Sequence, residues 1–183
     1  AAGASIVHPH SQLVALPLVV GSTRERLRLA REFYARSQVS IFQRVLEVEI
    51  TAGVRIVEDT ADFTVMVPYA AICPYELLIL PKRQQAYFED VSDKDLESFA
   101  GALHRALHRI HAVLDEPSFN VLLCTSPYWS RQGSDFQKFY SWRCSIYPRL
   151  GAGAMAGFEF GSGCYTNWHL PEDSAKELRE VQV

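Results

Sequence analysis

Residues 75–114 read YELLILPKRQQAYFEDVSDKDLESFAGALHRALHRIHAVL, and this stretch decides the fold. It opens on a short apolar run, Tyr75 to Leu80, that reads as a strand and is stopped by Pro81, which has no N–H for a ladder. It continues into a helix with a clear start. Ser92 is a good N-cap, and Asp95, three residues on, has the position to bond back to it as in a capping box. Leu96, Phe99, Leu103, Leu107, Ile110 and Leu114 then recur at three- and four-residue intervals, which places them on one buried stripe. Pro117 follows the end.

Working outward, Val54–Glu58 and Phe63–Val67 are short β-branched runs around Asp59-Thr60-Ala61-Asp62, the pattern of a hairpin. Before them, Leu27, Leu29, Phe33, Tyr34, Ile41, Phe42 and Val45 fall at loose helical spacing, so residues 23–46 read as helix. Ser5–Val14 reads as a strand ended by Pro17. Beyond the long helix, Phe119–Cys124 and Trp142–Tyr147 read as strands, with the polar, aromatic segment Thr125–Lys138 as a long surface loop between them. Pro171-Glu172-Asp173 opens a final helix to about Val181. Mostly sequential strands crossed by one long helix predict an α+β fold with an antiparallel sheet. No linker divides the chain and no internal repeat is present in it.

The chain has 183 residues, 48% hydrophobic and 21% charged, with 10 Gly and 9 Pro. These values exclude disordered, collagen-like and low-complexity classes and suit one domain or slightly more. The longest apolar stretch, Leu13 to Val20, contains Pro17 and falls far short of the roughly 20 residues that span a bilayer. Eighteen basic residues are scattered among 21 acidic ones for a net charge of −3. That balance argues against a nucleic-acid-wrapping surface, though not against a single bound nucleotide. Cys73, Cys124, Cys144 and Cys164 show no knuckle or redox spacing, so free thiols and a cytoplasmic setting are expected. The chain opens AAGASIVHPHSQ, with no Met and no polar lead-in, as though it began in the middle of an element.

That opening also holds the densest set of functional side chains: Ser5, His8, His10, Ser11 and Gln12. On a strand, residues 8, 10 and 12 share a face, while Ser5 has the opposite parity and joins them only if the chain bends near Ile6-Val7. A His, His, Gln row suits phosphate chemistry. A neutral imidazole is a competent nucleophile, and a neighbouring hydrogen bond selects which ring nitrogen attacks. Gln and Ser can donate to phosphoryl oxygens as charge develops. The plain alternative is two histidines at a strand end satisfied by backbone or water.

Other candidates are weaker. His104, His108 and His111 stand at i, i+4 and i+7, a spacing able to hold a metal, but they alternate with Arg105 and Arg109 and have no carboxylate or Cys on their turns, so a solvated flank is expected. His169 beside Trp168 has no local partner and reads the same way. Gly151 to Gly163 is glycine-rich without the strand–GxGxxG–helix order of a dinucleotide loop. Glu159, between Phe158 and Phe160, is either a solvent-facing strand residue or a hydroxyl-binding group in a pocket.

Ala2-Gly3-Ala4-Ser5 followed by His8-Pro9-His10-Ser11-Gln12 resembles the active-site strand of the galactose-1-phosphate uridylyltransferase family, a branch of the histidine-triad superfamily. Tyr75-Glu76, Ile79-Leu80-Pro81-Lys82, Pro148-Arg149, Ala156-Gly157-Phe158-Glu159, Gly161-Ser162-Gly163, Asn167 and Pro171-Glu172 have counterparts in the same order, so the resemblance covers essentially the whole chain. It implies a histidine-triad-like repeat, with an antiparallel sheet and crossing helices, over residues 24–183. Residues 1–20 would be the last active-site strand of an N-terminal repeat that lies upstream and is otherwise missing. It further implies that His10 attacks the α-phosphorus of UDP-glucose and passes UMP to galactose-1-phosphate. Ser5 and Gln12 would hold phosphoryl oxygens, and Phe158 and Glu159 would contact the hexose, often across a homodimer interface.

In relatives that bind zinc, His8 is one of four ligands, and the other three would lie upstream. A second zinc tetrad of some relatives aligns with Ser40, Gln43, Gln84 and Arg143, all non-ligands, so no metal is expected in the C-terminal repeat. The expectation is a nucleotidyltransferase of galactose metabolism, seen as a C-terminal portion that is inactive in isolation, with no nucleic-acid or membrane partner. The alternatives are a related ADP-glucose phosphorylase or adenylyltransferase, and a degenerate, non-catalytic histidine-triad domain that binds sugar phosphates.

Overall fold

The structure is a computed structural model and describes residue 8 and residues 10–128, 135–150 and 157–183. Helices α1 (Gly21–Ser37) and α2 (Ile41–Ala52) precede a meander of β1 (Ile56–Asp59), β2 (Phe63–Met66) and β3 (Leu77–Pro81). A 3-10 turn at Phe88–Asp90 leads into α3 (Asp93–Leu114) and then β4 (Ser118–Cys124). The short α4 (Phe136–Phe139), β5 (Arg143–Arg149), α5 (Gly157–Ser162) and α6 (Pro171–Glu180) follow. The strands form one antiparallel sheet in the order β1-β2-β3-β5-β4. The α+β fold with a crossing helix is therefore present. Helix α3 carries the chain from β3 to the far edge strand β4, and β5 returns to fill the gap between them.

The local chemistry explains most of these elements. Ser92 caps α3 by accepting from the Asp95 N–H at 3.1 Å. The β1–β2 turn is closed by Thr60, whose N–H and hydroxyl both donate to the Phe63 carbonyl, at 2.9 and 3.0 Å. One sheet face buries Val65, Leu77, Ile79, Cys144 and Ile146 against α3 and α6. At its centre Trp142 is ringed by Phe88, Phe99 and Phe63 at centroid distances of 5.0, 5.2 and 5.8 Å. The opposite face buries Met66 and Leu80 against Leu27, Ala30, Phe42 and Leu46 of α1 and α2, together with Phe136, Phe139 and Tyr140. Neither layer covers β4, whose Phe119, Val121, Leu122 and Leu123 remain substantially exposed.

Several expectations are corrected. The helical stretch over 23–46 is two helices: Gln38 turns left-handed at φ 55°, and Ser40 caps the second by accepting from the Phe42 N–H. The buried seam of α3 is Phe99, Ala102, Ala106 and Ile110, while Leu96 is exposed and Leu103, Leu107 and Leu114 flank it. Alanines bring the helix backbone close to the sheet, and that closeness turns the larger leucines to the sides. Asp95 does not bond back to Ser92; its carboxylate pairs with Arg83 at 2.9 Å. The expected loop over 125–138 contains α4, where Phe136 and Phe139 are buried, while residues 129–134 lie outside the described residues.

The strand expected over 5–14 is absent at His8 and at residues 10–14, all of them exposed, and residues 5–7 and Pro9 lie outside the described residues. A strand needs a ladder to satisfy its backbone, and none of the described residues of this segment pairs with the five strands. Glu159 sits on helix α5 rather than on a strand. Among the described residues no helix is long and apolar enough to cross a membrane.

Candidate functional site

His10 is fixed by its own backbone. Its Nδ1 lies 3.0 Å from the His8 carbonyl oxygen. A carbonyl only accepts, so Nδ1 is the donor in this contact, and in the neutral ring this makes Nε2 the nitrogen with the free lone pair. The two histidines therefore meet through a ring-to-backbone bond rather than as a row on a strand face. His8, His10 and Gln12 are all exposed, and Ser5 lies outside the described residues.

Phe158 and Glu159 stand at the start of α5. Glu159 is buried and accepts a hydrogen bond from the Thr166 hydroxyl, whereas the neighbouring Phe158 ring is exposed. The helix is closed by Gly163, whose N–H donates to the Glu159 carbonyl at 2.9 Å; its φ of 69° is a conformation glycine adopts without cost. Asn167 ties the segment to the body of the fold by donating to the Ala71 carbonyl at 3.2 Å. No hydrogen bond, ion pair or ring contact joins His10 or Gln12 to Phe158 or Glu159 among the described residues.

Between Tyr75 and α6 lies a polar contact that the sequence did not reveal. The Tyr75 hydroxyl donates to Glu177 Oε2 at 2.5 Å, and burial with the adjacent carboxylate pushes that phenol up to about 12. The His169 ring lies 4.9 Å from the Tyr75 ring, with Nε2 3.5 Å from Glu177 Oε1. His169 is thus a packed residue, which corrects the solvated reading. His104, His108 and His111 are exposed, as their spacing on the helix flank predicts. Glu76, beside Tyr75, is buried with Oε2 accepting from the Ile72 N–H at 2.7 Å, and burial raises its carboxyl to about 7.

The four positions that align with a metal tetrad hold no metal-ligand chemistry. The Ser40 hydroxyl donates to the Phe139 carbonyl at 3.2 Å and Gln43 Nε2 to the Lys82 carbonyl at 3.1 Å. Gln84 Nε2 donates to the Tyr140 carbonyl. These donors cross-link the start of α2, the end of β3 and the α4–β5 connection. Their amides point N–H groups at carbonyls, so the set does not fit a cation, and Arg143 brings a positive charge of its own. Among the described residues no three His, Cys, Asp or Glu side chains group so as to hold a metal.

Comparison with known proteins places this geometry. No protein-family model matches the chain. ADP-glucose phosphorylase from Arabidopsis thaliana is 32% identical over 183 residues, covering 100% of this chain and 49% of the relative. Galactose-1-phosphate uridylyltransferase from Thermotoga maritima is 27% identical, covering 99% of this chain and 57% of the relative. A crystal structure of the Arabidopsis thaliana phosphorylase with bound ADP-glucose superposes with a TM-score of 0.79 at 28% identity, over 92% of this chain and 52% of that one. A zinc-bound histidine triad family protein from Mycobacterium smegmatis, 14% identical with a TM-score of 0.54 over 78% of this chain and 92% of its own, shares the fold alone.

The sheet with its crossing helix is thus a histidine-triad fold. Within that fold the chain is similar, along its whole length, to galactose-1-phosphate uridylyltransferases and to ADP-glucose phosphorylase. It spans about half the length of the curated relatives it matches.

Proposed function

We propose that this protein transfers a nucleoside monophosphate between hexose phosphates, with His10 as the nucleophile. The observation that supports the reading is the His10 Nδ1 contact to the His8 carbonyl, which makes Nε2 the free nitrogen of the neutral ring. Nε2 attacks the α-phosphorus of UDP-glucose, the phosphorus–oxygen bond to the leaving group breaks, and glucose-1-phosphate departs with the electron pair. A phosphate oxygen of galactose-1-phosphate then attacks the same phosphorus, the nitrogen–phosphorus bond breaks, and the imidazole is restored. Phosphoryl-type transfer depends on positioning and charge stabilisation, the parts assigned to Ser5 and Gln12. Phe158 and Glu159 contact the hexose, Glu159 being held by Thr166 with its exposed aromatic neighbour alongside.

In the full-length protein His8 would be one of the zinc ligands, the enzyme would work as a homodimer in the cytoplasm, and residues 1–183 alone would turn over little or nothing. A second reading has a specific support: 32% identity over the whole chain to a protein named ADP-glucose phosphorylase. In it the histidine takes AMP from ADP-glucose and an inorganic phosphate oxygen receives it. One experiment separates the two. The full-length protein is incubated with UDP-glucose or ADP-glucose, and its peptides are analysed by mass spectrometry. A uridylyl adduct on the His10 peptide is expected under the first reading, an adenylyl adduct under the second, and none in His10→Asn. A protein that turns over either sugar nucleotide undiminished with His10→Asn overturns the assignment.

A further inference from the structure

Residues 163–170 join α5 to α6 without regular secondary structure. In this connection Asn167 and His169 are half-buried and the other residues are exposed. Both inward side chains meet the β2–β3 connection, residues 67–76. Asn167 donates to the Ala71 carbonyl at 3.2 Å, and its Oδ1 accepts from the His169 N–H at 3.1 Å. The His169 ring lies 4.9 Å from the Tyr75 ring, tilted 30° to it. Thr166, whose hydroxyl holds the Glu159 carboxylate, therefore stands directly before the first anchor and one turn of chain before the second.

Tyr75 is the fixed point of this arrangement. Its φ of 58° lies in the left-handed region, which a bulky side chain adopts only where its surroundings hold it. Three contacts supply that hold. Its N–H donates to Ser174 Oγ at 3.3 Å, its hydroxyl donates to Glu177 Oε2 at 2.5 Å, and its ring packs on His169. Ser174 and Glu177 both belong to α6 and face the same way, at i and i+3. Glu177 Oε1 in turn lies 3.5 Å from His169 Nε2, so one carboxylate serves both rings. The α5–α6 connection is thus clamped between the β2–β3 connection and α6, and none of Tyr75, His169 and Glu177 is among the residues assigned to the substrate.

We propose that Tyr75, His169 and Glu177 are positioning residues for the hexose: by fixing this connection they set where Thr166 holds the Glu159 carboxylate, and so how tightly the sugar is bound. This rests on the reading in which Glu159 contacts the hexose. An irregular segment keeps one conformation only while its anchors outweigh the entropy of its freedom. A hydroxyl orients a carboxylate only from a fixed place, because a hydrogen bond weakens steeply with angle and distance. Loss of an anchor lets Thr166 move away from Glu159, and the cost falls on the sugar rather than on its phosphate.

The test titrates the full-length protein calorimetrically with glucose-1-phosphate and, in a second arm, with inorganic phosphate, which has no hexose. Glu159→Gln, Glu177→Ala and His169→Ala should each weaken glucose-1-phosphate at least about fivefold and leave phosphate within about twofold of the parent. Two conservative variants should restore hexose binding: Glu177→Gln keeps an oxygen for the Tyr75 hydroxyl, and His169→Phe keeps a ring on Tyr75. A purely structural contact would give neither the selectivity nor the rescue. Should His169→Ala fail to fold, Glu177→Ala decides, its side chain being 42% exposed on α6. Glucose-1-phosphate affinity weakened in Glu159→Gln but unchanged in Glu177→Ala overturns the clamp and leaves the hexose contact standing. Equal loss of both ligands in Glu177→Ala overturns the clamp as well. Affinity unchanged in Glu159→Gln, or no glucose-1-phosphate binding by the parent, overturns the hexose reading and the clamp with it.

Discussion

A single hydrogen bond of 3.0 Å selects which ring nitrogen of His10 is the donor. Composition and spacing place two imidazoles two residues apart, but the choice of ring nitrogen depends on how the backbone bends between them, which no residue pattern encodes. Glu76 shows the same principle with a consequence for stability. Its carboxyl is buried and raised from 4.5 to about 7, so the folded state holds this proton more tightly than the unfolded chain does. Stability from this group is complete below about pH 4.5 and is lost as pH rises to about 7, an effect on the order of 3 kcal/mol. Glu76→Gln keeps an oxygen for the Ile72 N–H and removes the titration. Urea denaturation should find the variant more stable than the parent at pH 8 and little different near pH 4.5. A parent whose stability stays flat across that window contradicts the assignment.

Between elements, side chains take the place of staples. Ser40, Gln43 and Gln84 tie α2, β3 and the α4–β5 connection through backbone carbonyls, and Arg179 at the end of α6 donates to the Val54 and Ile56 carbonyls at 3.1 and 2.5 Å. Glu58 on β1 is gripped by Arg105 and Arg109 of α3, and two of the three side chains are largely buried, at 14% for Glu58 and 11% for Arg109. Removing the carboxylate leaves two guanidiniums without a counter-charge. Glu58→Gln should therefore cost about 2–4 kcal/mol, measured as a lower urea midpoint with an unchanged m-value. An exposed pair such as Arg44–Glu47 should cost less than about 1 kcal/mol when broken.

What was legible at this level followed local rules. The cap and periodicity of α3, the β1–β2 turn and the Pro171 start of α6 are written in consecutive residues. The break at Gln38 was hidden because Phe33, Tyr34, Ile41 and Phe42 keep helical spacing across it, and Ser40 was its one mark. α4 was hidden because Phe136 and Phe139 sit in a polar context. The Tyr75–Glu177 and Arg55–Glu172 contacts join residues from distant parts of the chain, and nothing near any of the four signals its partner.

At the scale of the molecule, Trp142 is the joint between layers. Its indole N–H donates to Gln85 Oε1 at 3.1 Å, its backbone N–H donates to the Gln85 carbonyl at 2.8 Å, and three phenylalanines pack around its ring. Trp142→Ala empties the space between α3 and the sheet and leaves Gln85 Oε1 without its indole donor. It should cost about 3–5 kcal/mol in equilibrium denaturation, whereas an exposed ring such as Trp168 should cost less than about 1 kcal/mol. The family likeness, the antiparallel sheet and the long helix were all readable from the chain. The order of strands within the sheet was not, because pairing depends on contacts that only the folded chain makes.

That strand order has a consequence for biosynthesis. The partner of Leu77 in β3 is Ile146 in β5, so the β1–β2–β3 meander leaves the ribosome with one side unpaired. It stays so while α3, β4 and the connection to β5 are translated, an interval on the order of several seconds at ordinary elongation rates. During that interval the amphipathic α3 is the first element able to shield the nascent sheet, and the last strand made becomes one of its central ones.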